Sequence, residues 1–221
     1  SNRGMQTVHM DTDERRAFRE SVARFVKQEI EPHADAWDEA GTFPWEVHEK
    51  ACALGLFGFG IDEAYGGNGF DDAFMRCACA EELGYGGIGG VIASIGCRSI
   101  MVGLVAGFAN EEIKRRALPE ILSGRRGGAL GVTEPSGGSD VAAVQTRAVR
   151  EGDQWVLNGS KTFITGGMKA SHFVIAARTG AEGGAGLSLF FVDADAPGFS
   201  RSALERKMGW WSSDTATLYF D

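Results

Sequence analysis

The sequence predicts a multi-domain α and β protein: an all-helical N-terminal domain over residues 1–125, then an antiparallel β-barrel-like domain over residues 126–221. Three observations carry this. Apolar residues recur at helical spacing through the first 120 residues, the period changes after Gly128 to runs of β-branched and aromatic residues, and turn dipeptides separate those runs. Helices followed by strands, not alternating with them, imply two segregated domains and no βαβ units.

Taken in order, Phe18, Val22, Phe25, Val26 and Ile30 form one apolar stripe over 12–31, with Glu and Arg on the other face, and Pro32 is expected to end that helix. A short helix is expected over 33–40, and another from Pro44 to a cap at Gly55. Residues 58–69 carry the glycine spacing of a loop. Helices resume over 71–83, 91–108 and 110–117, with Pro119 and Gly124 marking the exit. Strands are expected at 141–150, 155–164, 173–178, 187–193 and 216–220, with Gly152-Asp153 and Asn158-Gly159 as turns.

With 43% hydrophobic and 24% charged residues, the 221-residue chain lies outside the compositional range of disorder. Its net charge of −8 is uneven: residues 1–125 carry 13 Lys/Arg against 20 Asp/Glu, and residues 126–221 carry 9 against 10. A phosphate-tracking surface needs a basic stripe, so nucleic acid and anionic membrane are not expected partners. The four cysteines, Cys52, Cys77, Cys79 and Cys97, lack paired spacing and read as reduced thiols, and the four histidines suggest no metal site. The apolar stretch Ser99–Ala109 is short for a membrane span and no signal peptide is visible, so the expected compartment is the cytoplasm. Ser1–Gly4, ahead of Met5, read as a cloning remnant.

Three segments carry the chemistry: Leu130-Gly-Val-Thr-Glu-Pro-Ser-Gly-Gly-Ser-Asp140, Trp155-Val-Leu-Asn-Gly-Ser-Lys-Thr-Phe-Ile-Thr-Gly-Gly167 and Arg206-Lys-Met-Gly-Trp-Trp-Ser-Ser-Asp-Thr-Ala-Thr-Leu-Tyr-Phe-Asp221. In this order and at these intervals they resemble the flavin-binding landmarks of the acyl-CoA dehydrogenase family, and the likeness extends back to residue 12. The resemblance implies FAD as cofactor and α,β-dehydrogenation of an acyl-CoA thioester. It also implies an electron-transfer flavoprotein or similar acceptor as partner, and a homo-oligomer.

By the same resemblance, Leu130, Gly131, Val132 and Thr133 meet the flavin ring edge, and Ser139 lies near both cofactor and acyl-CoA. Phe163 covers one flavin face, with Ile164 and Thr165 completing that edge. Family members often carry Trp and Asn where this chain has Phe163 and Gly166; Phe keeps a stacking face but has no indole N–H. The acyl tail is expected between helices near residues 84–107.

The family's catalytic glutamate comes from a C-terminal helical domain that residues 1–221 do not match. The chain is therefore expected to be a fragment that has no dehydrogenase activity alone, binds FAD weakly or not at all, and self-associates through uncovered apolar faces. Two alternatives stay open: a naturally short noncatalytic binding subunit of the same fold, and a related flavin oxidase or monooxygenase. Two other motifs read as structural. Gly84-Tyr-Gly-Gly-Ile-Gly89 follows a helical pattern where a dinucleotide fingerprint would follow a strand, and Glu134 sits inside its turn as a structural carboxylate.

Overall fold

The structure is a computed structural model and describes residues 12–221; the reading of Ser1–Gly4 falls outside them. Helix α1 (Asp13–Phe25) starts at Thr12, whose hydroxyl accepts the Arg15 N–H. The backbone does not leave the helical region at Pro32. Pro has no N–H to give, and the chain changes hydrogen-bond register around it, through a wide turn at Val26–Ile30 and a tight one at Glu31–His33, into α2 (Ala34–Ala40). Then follow α3 (Trp45–Ala53), α4 (Ala73–Tyr85), α5 (Gly89–Phe108) and α6 (Glu111–Leu122). Asp72 caps α4 and Asn110 caps α6 through their side-chain oxygens.

Helix α6 continues one turn past Pro119, which the sequence marked as an exit. An interior Pro costs about 3 kcal/mol. Burial of Leu118, Ile121 and Leu122 offsets it, at about 1.5–3 kcal/mol per side chain.

Seven strands follow: β1 (Gly128–Gly131), β2 (Arg147–Glu151), β3 (Gln154–Thr165), β4 (His172–Arg178), β5 (Leu187–Asp193), β6 (Phe199–Ala203) and β7 (Thr215–Phe220). They form one curled half-barrel sheet in the order β1-β4-β2-β3-β7-β6, with β5 also on β4. The sheet is mixed: β1 runs parallel to β4, while β2–β3, β3–β7, β4–β5 and β6–β7 are antiparallel. Parallel pairing arises because the chain travels from Gly131 through a long excursion before β4, a crossover that no tight turn can provide.

Three local expectations are corrected. Residues 141–143 form a short 3-10 turn, so β2 begins only at Arg147. Strand β6, with two serines among five residues, lacks the β-branched signal that would have announced it. Gly152-Asp153 closes the β2–β3 hairpin, but Asn158-Gly159 lies inside β3. There β3 changes partner, pairing with β2 up to Asn158 and with β7 from Gly159. Gly159 has φ 145°, and a Cβ there would stand 2.7 Å from Thr146 Oγ1, so only glycine fits this corner.

One apolar core lies among the helices, around Val22, Ile30, Ile95, Val102, Leu118 and Ile121; a second lies against the sheet, around Ile164, Phe173, Ile175, Ala216 and Leu218. Helix α5 joins them. It lies so close on the start of the sheet that a Cβ on Gly128 would come 2.6 Å from Met101 Sδ. Polar ties reinforce the junction: Asp38 accepts the Ser212 N–H and hydroxyl, Ser94 Oγ lies 2.8 Å from Ser213 Oγ, and Arg116 donates to Asp193 at 2.7 Å. At 20 residues α5 exceeds the Ser99–Ala109 stretch taken from sequence, and among the described residues it is the helix long and apolar enough to cross a bilayer. In this fold Val91, Ile95, Met101, Val102 and Val105 face the interior instead.

Candidate functional site

The three chemistry-bearing segments converge. Thr162 N–H donates to the Thr133 carbonyl at 2.8 Å, joining the first segment to the second. Gly166 N–H donates to the Asp214 carbonyl at 2.8 Å, and the Asp214 carboxylate accepts the N–H groups of Met168 at 2.8 Å and Lys169 at 3.2 Å, joining the second to the third. Residues distant in sequence thus share one edge of the sheet.

A β-bulge shapes that edge. Between Lys161 and Ile164, strand β3 carries one residue more than its partner β7, and Phe163 takes the left-handed conformation at φ 59°. A non-glycine residue there costs about 1–2 kcal/mol. The bulge breaks the alternation of the strand: Lys161, Thr162 and Ile164 are buried, while Phe163 is 61% exposed. A large aromatic ring is therefore held out on strained backbone beside the convergence of the three segments. Of the other residues singled out from sequence, Leu130, Val132, Thr133 and Thr165 are half-buried and Ser139 is exposed. Gly131 packs under Ile175, and Ile164 is sunk in the sheet core, so these two can offer a ligand only their backbone. The Gly138 backbone lies against Thr133, since a Cβ at Gly138 would stand 3.0 Å from Thr133 Cγ2.

Beneath this edge lies an ion pair. Lys161 Nζ donates to Glu134 Oε1 at 2.8 Å and to the Val132 carbonyl at 3.0 Å, and Glu134 also accepts the N–H groups of Gln145 at 2.7 Å and Thr146 at 2.8 Å. Burial would raise a carboxyl, but the hydrogen bonds from Lys161 and from Thr146 and Gln145 outweigh it and hold Glu134 down at about 2. Burial lowers Lys161 despite the attraction of Glu134. Glu134 is thus ionised and fully bonded, with no capacity to take a proton. Its structural role was legible from its place in the turn; the partner Lys161 was not singled out, although a lysine inside the second segment and a glutamate inside the first were a visible charge match.

A second polar cluster reads differently. His48 and Cys52 lie one helical turn apart with Sγ 3.7 Å from Nε2, a spacing that invites a nucleophile reading. Burial pushes the Cys52 thiol up to about 12, and burial with the neighbouring Arg98 pushes His48 down to about 3, so both are neutral and inert at ordinary pH. The Gly84–Gly89 run begins in the last turn of helix α4, not after a strand. Gly89 and Gly90 admit the 210–213 loop, since a Cβ on Gly90 would stand 2.4 Å from Ser212 Oγ.

Between α4 and α5 opens an apolar groove of about 450 Å³, lined by Phe57, Phe59, Cys79, Leu83, Gly96 and Gly103 among others. Gly96 and Gly103 leave open space where side chains would stand.

Set beside known proteins, residues 12–125 match the model of the acyl-CoA dehydrogenase N-terminal domain and residues 129–221 that of the acyl-CoA dehydrogenase middle domain. The chain belongs to the acyl-CoA dehydrogenase family. It is 37% identical over 207 residues to the mouse mitochondrial long-chain specific acyl-CoA dehydrogenase, an alignment covering 92% of this chain and 48% of the relative. A Mycobacterium smegmatis structure assigned as an acyl-CoA dehydrogenase superposes with a TM-score of 0.90 at 44% identity, over 96% of this chain and 55% of that one. A glutaryl-CoA dehydrogenase from Mycobacterium smegmatis, solved in complex with FADH2, superposes with a TM-score of 0.88 at 29% identity, over 98% of this chain and 55% of that one. The chain spans about half the length of these acyl-CoA dehydrogenase relatives.

Proposed function

We propose that this chain forms two walls, a helical domain and a sheet domain meeting near residue 125, of an FAD-dependent enzyme that dehydrogenates an acyl-CoA thioester across its α and β carbons. The observation that carries this reading is the convergence of the three family segments around an exposed Phe163 held out by a β-bulge. The fit to FAD rests on the donor set. The Phe163 ring offers a stacking face, the half-buried Thr133 and Thr165 on the same segments offer hydroxyls, and the Gly137-Gly138-Ser139 turn offers backbone close to Thr133. When bound, FAD supplies the hydride acceptor for the β-hydrogen, while the α-proton must pass to a carboxylate. The groove between α4 and α5, about 450 Å³ and lined mostly by apolar side chains, suits the tail of the thioester.

Of the four carboxylates in the converged segments, Asp140 and Asp221 stand exposed at segment ends, and the two inner ones, Glu134 and Asp214, cannot serve as the base. Glu134 has both oxygens bonded, and Asp214 is tied to two backbone N–H groups with its other oxygen buried. By the family resemblance, the proton acceptor is a glutamate contributed from outside the described residues. Residues 1–221 alone bind FAD weakly and do not dehydrogenate acyl-CoA. The exposed apolar side chains Ile100 and Phe108 on α5, Leu189 on the outer strand β5 and Tyr219 on β7 support self-association of the chain. The electron acceptor is an electron-transfer flavoprotein or a protein of that kind.

The test is an absorption spectrum of the holoprotein titrated with acyl-CoAs of increasing chain length. Bleaching of the flavin band by one chain-length class is expected, and a protein that binds FAD but is bleached by no acyl-CoA overturns the reading. For the isolated 221-residue chain, dye reduction with any acyl-CoA would overturn the assignment of the base elsewhere.

A further inference from the structure

The Glu134–Lys161 pair lies behind the flavin segments, and one of its bonds reaches the backbone of those segments directly. Lys161 Nζ donates to the Val132 carbonyl at 3.0 Å, from a side chain with no solvent exposure. In a trans peptide the C=O and the following N–H point in opposite directions. With the Val132 carbonyl drawn inward to Lys161, the Thr133 N–H is directed outward, away from the sheet interior. The next carbonyl, that of Thr133, is held by the Thr162 N–H at 2.8 Å, so the peptide planes on both sides of Thr133 are fixed. Glu134 keeps the ammonium in place: it accepts from Lys161 with one oxygen while the N–H groups of Gln145 and Thr146 lock its carboxylate.

We propose that Lys161 and Glu134 are positioning residues for the cofactor, holding the Val132–Thr133 peptide so that the Thr133 N–H is aimed at the N1–C2=O end of the flavin, where reduction deposits negative charge. The inference rests on the FAD reading of the preceding section. A donor already oriented before binding does not have to be ordered when the ligand arrives, and it acts most strongly on the charge that develops there. Gly131 lets the sheet core close beside this stem: a Cβ there would stand 2.6 Å from Ile175 Cδ1, while Lys161 Cγ would remain at ordinary contact distance, 3.4 Å.

The experiment uses the holoprotein and its Lys161→Met, Glu134→Gln and Thr217→Val variants. FAD affinity is read by flavin fluorescence, the reduction potential by dye equilibration, and folding by circular dichroism. Lys161→Met is expected to weaken FAD binding about tenfold to hundredfold, the loss typical of a charge-assisted hydrogen bond, and to lower the flavin potential. Glu134→Gln keeps shape and volume and should fold even where Lys161→Met does not, with a smaller effect in the same direction. Thr217→Val removes only the hydroxyl contact to Thr162 at 3.2 Å and should change FAD affinity less than about threefold. Wild-type affinity and potential in folded Glu134→Gln and Lys161→Met overturn the proposal, as does an equal loss in Thr217→Val. A wild-type enzyme that takes up no FAD instead overturns the functional reading on which it rests.

Discussion

Two buried cations illustrate two ways of settling a charge inside this protein. Lys161, within the sheet, is matched by a carboxylate and a carbonyl at hydrogen-bond distance. Arg98, at the junction of α5 with the sheet, is 2% exposed and lies between rings, with its guanidinium carbon 5.0 Å from the centre of Phe43 and 4.9 Å from that of Trp45. None of its nitrogens has a hydrogen-bond partner among the described residues, and burial lowers its pKa from the ordinary range. Hydrogen bonds are directional and fix atoms; ring faces attract a cation over a broad range of positions. The directional solution stands where two segments must meet in one register, and the permissive one where a helix merely packs on a sheet edge.

Breaking the directional site should have the larger consequence. Lys161→Met leaves the Glu134 carboxylate buried without its cation, and a loss of about 3–5 kcal/mol in urea unfolding is expected. Replacing both partners, as Lys161→Met with Glu134→Leu, should recover part of that loss and give a measurable coupling energy in the double-mutant cycle.

The same pair should write itself into the pH dependence. Glu134 sits near 2 in the fold, below its usual 4.5, so its contribution is fully present above about 4.5 and lost as pH falls toward 2. That window carries about 3 kcal/mol. Unfolding free energies measured from pH 6 to pH 2 should flatten by about that amount in Glu134→Gln.

Arg98→Met sharpens the comparison from the other side. It removes the attraction to two rings but also a desolvated charge, so a stability change within about 1 kcal/mol is expected. A loss equal to that of Lys161→Met would show that Arg98 is held by more than ring faces. Smallest of all should be Phe163→Gly. Relief of the left-handed backbone should stabilise the apoprotein by up to about 1 kcal/mol by thermal unfolding, while FAD binding by the holoprotein weakens.

These contrasts bear on what could be read from the chain itself. Helices before strands, the Gly152-Asp153 hairpin and the three landmark segments are local features, each written within a few residues. The structural standing of Glu134 was likewise visible, because its neighbours define a turn. Pro119 misled about where a helix stops, because burial of Ile121 and Leu122 beyond it outweighs a missing N–H, and at Pro32 the chain stays helical by a change of hydrogen-bond register, with none of the residues of the following turn and helix buried. Strand β6 stayed hidden because a short strand of weak propensity is decided by its partner β7 and not by its own side chains.

The amino-acid sequence by itself determined the class of each half and the family, since periodicity and motif spacing act through near neighbours. Tertiary structure alone decided the parallel pairing of β1 with β4, the change of partner at Gly159, the outward turn of Phe163 and the choice of Lys161 as counter-ion to Glu134. Each of these joins residues far apart in the chain, and its energy comes from burial and hydrogen bonding that exist only once the sheet has closed.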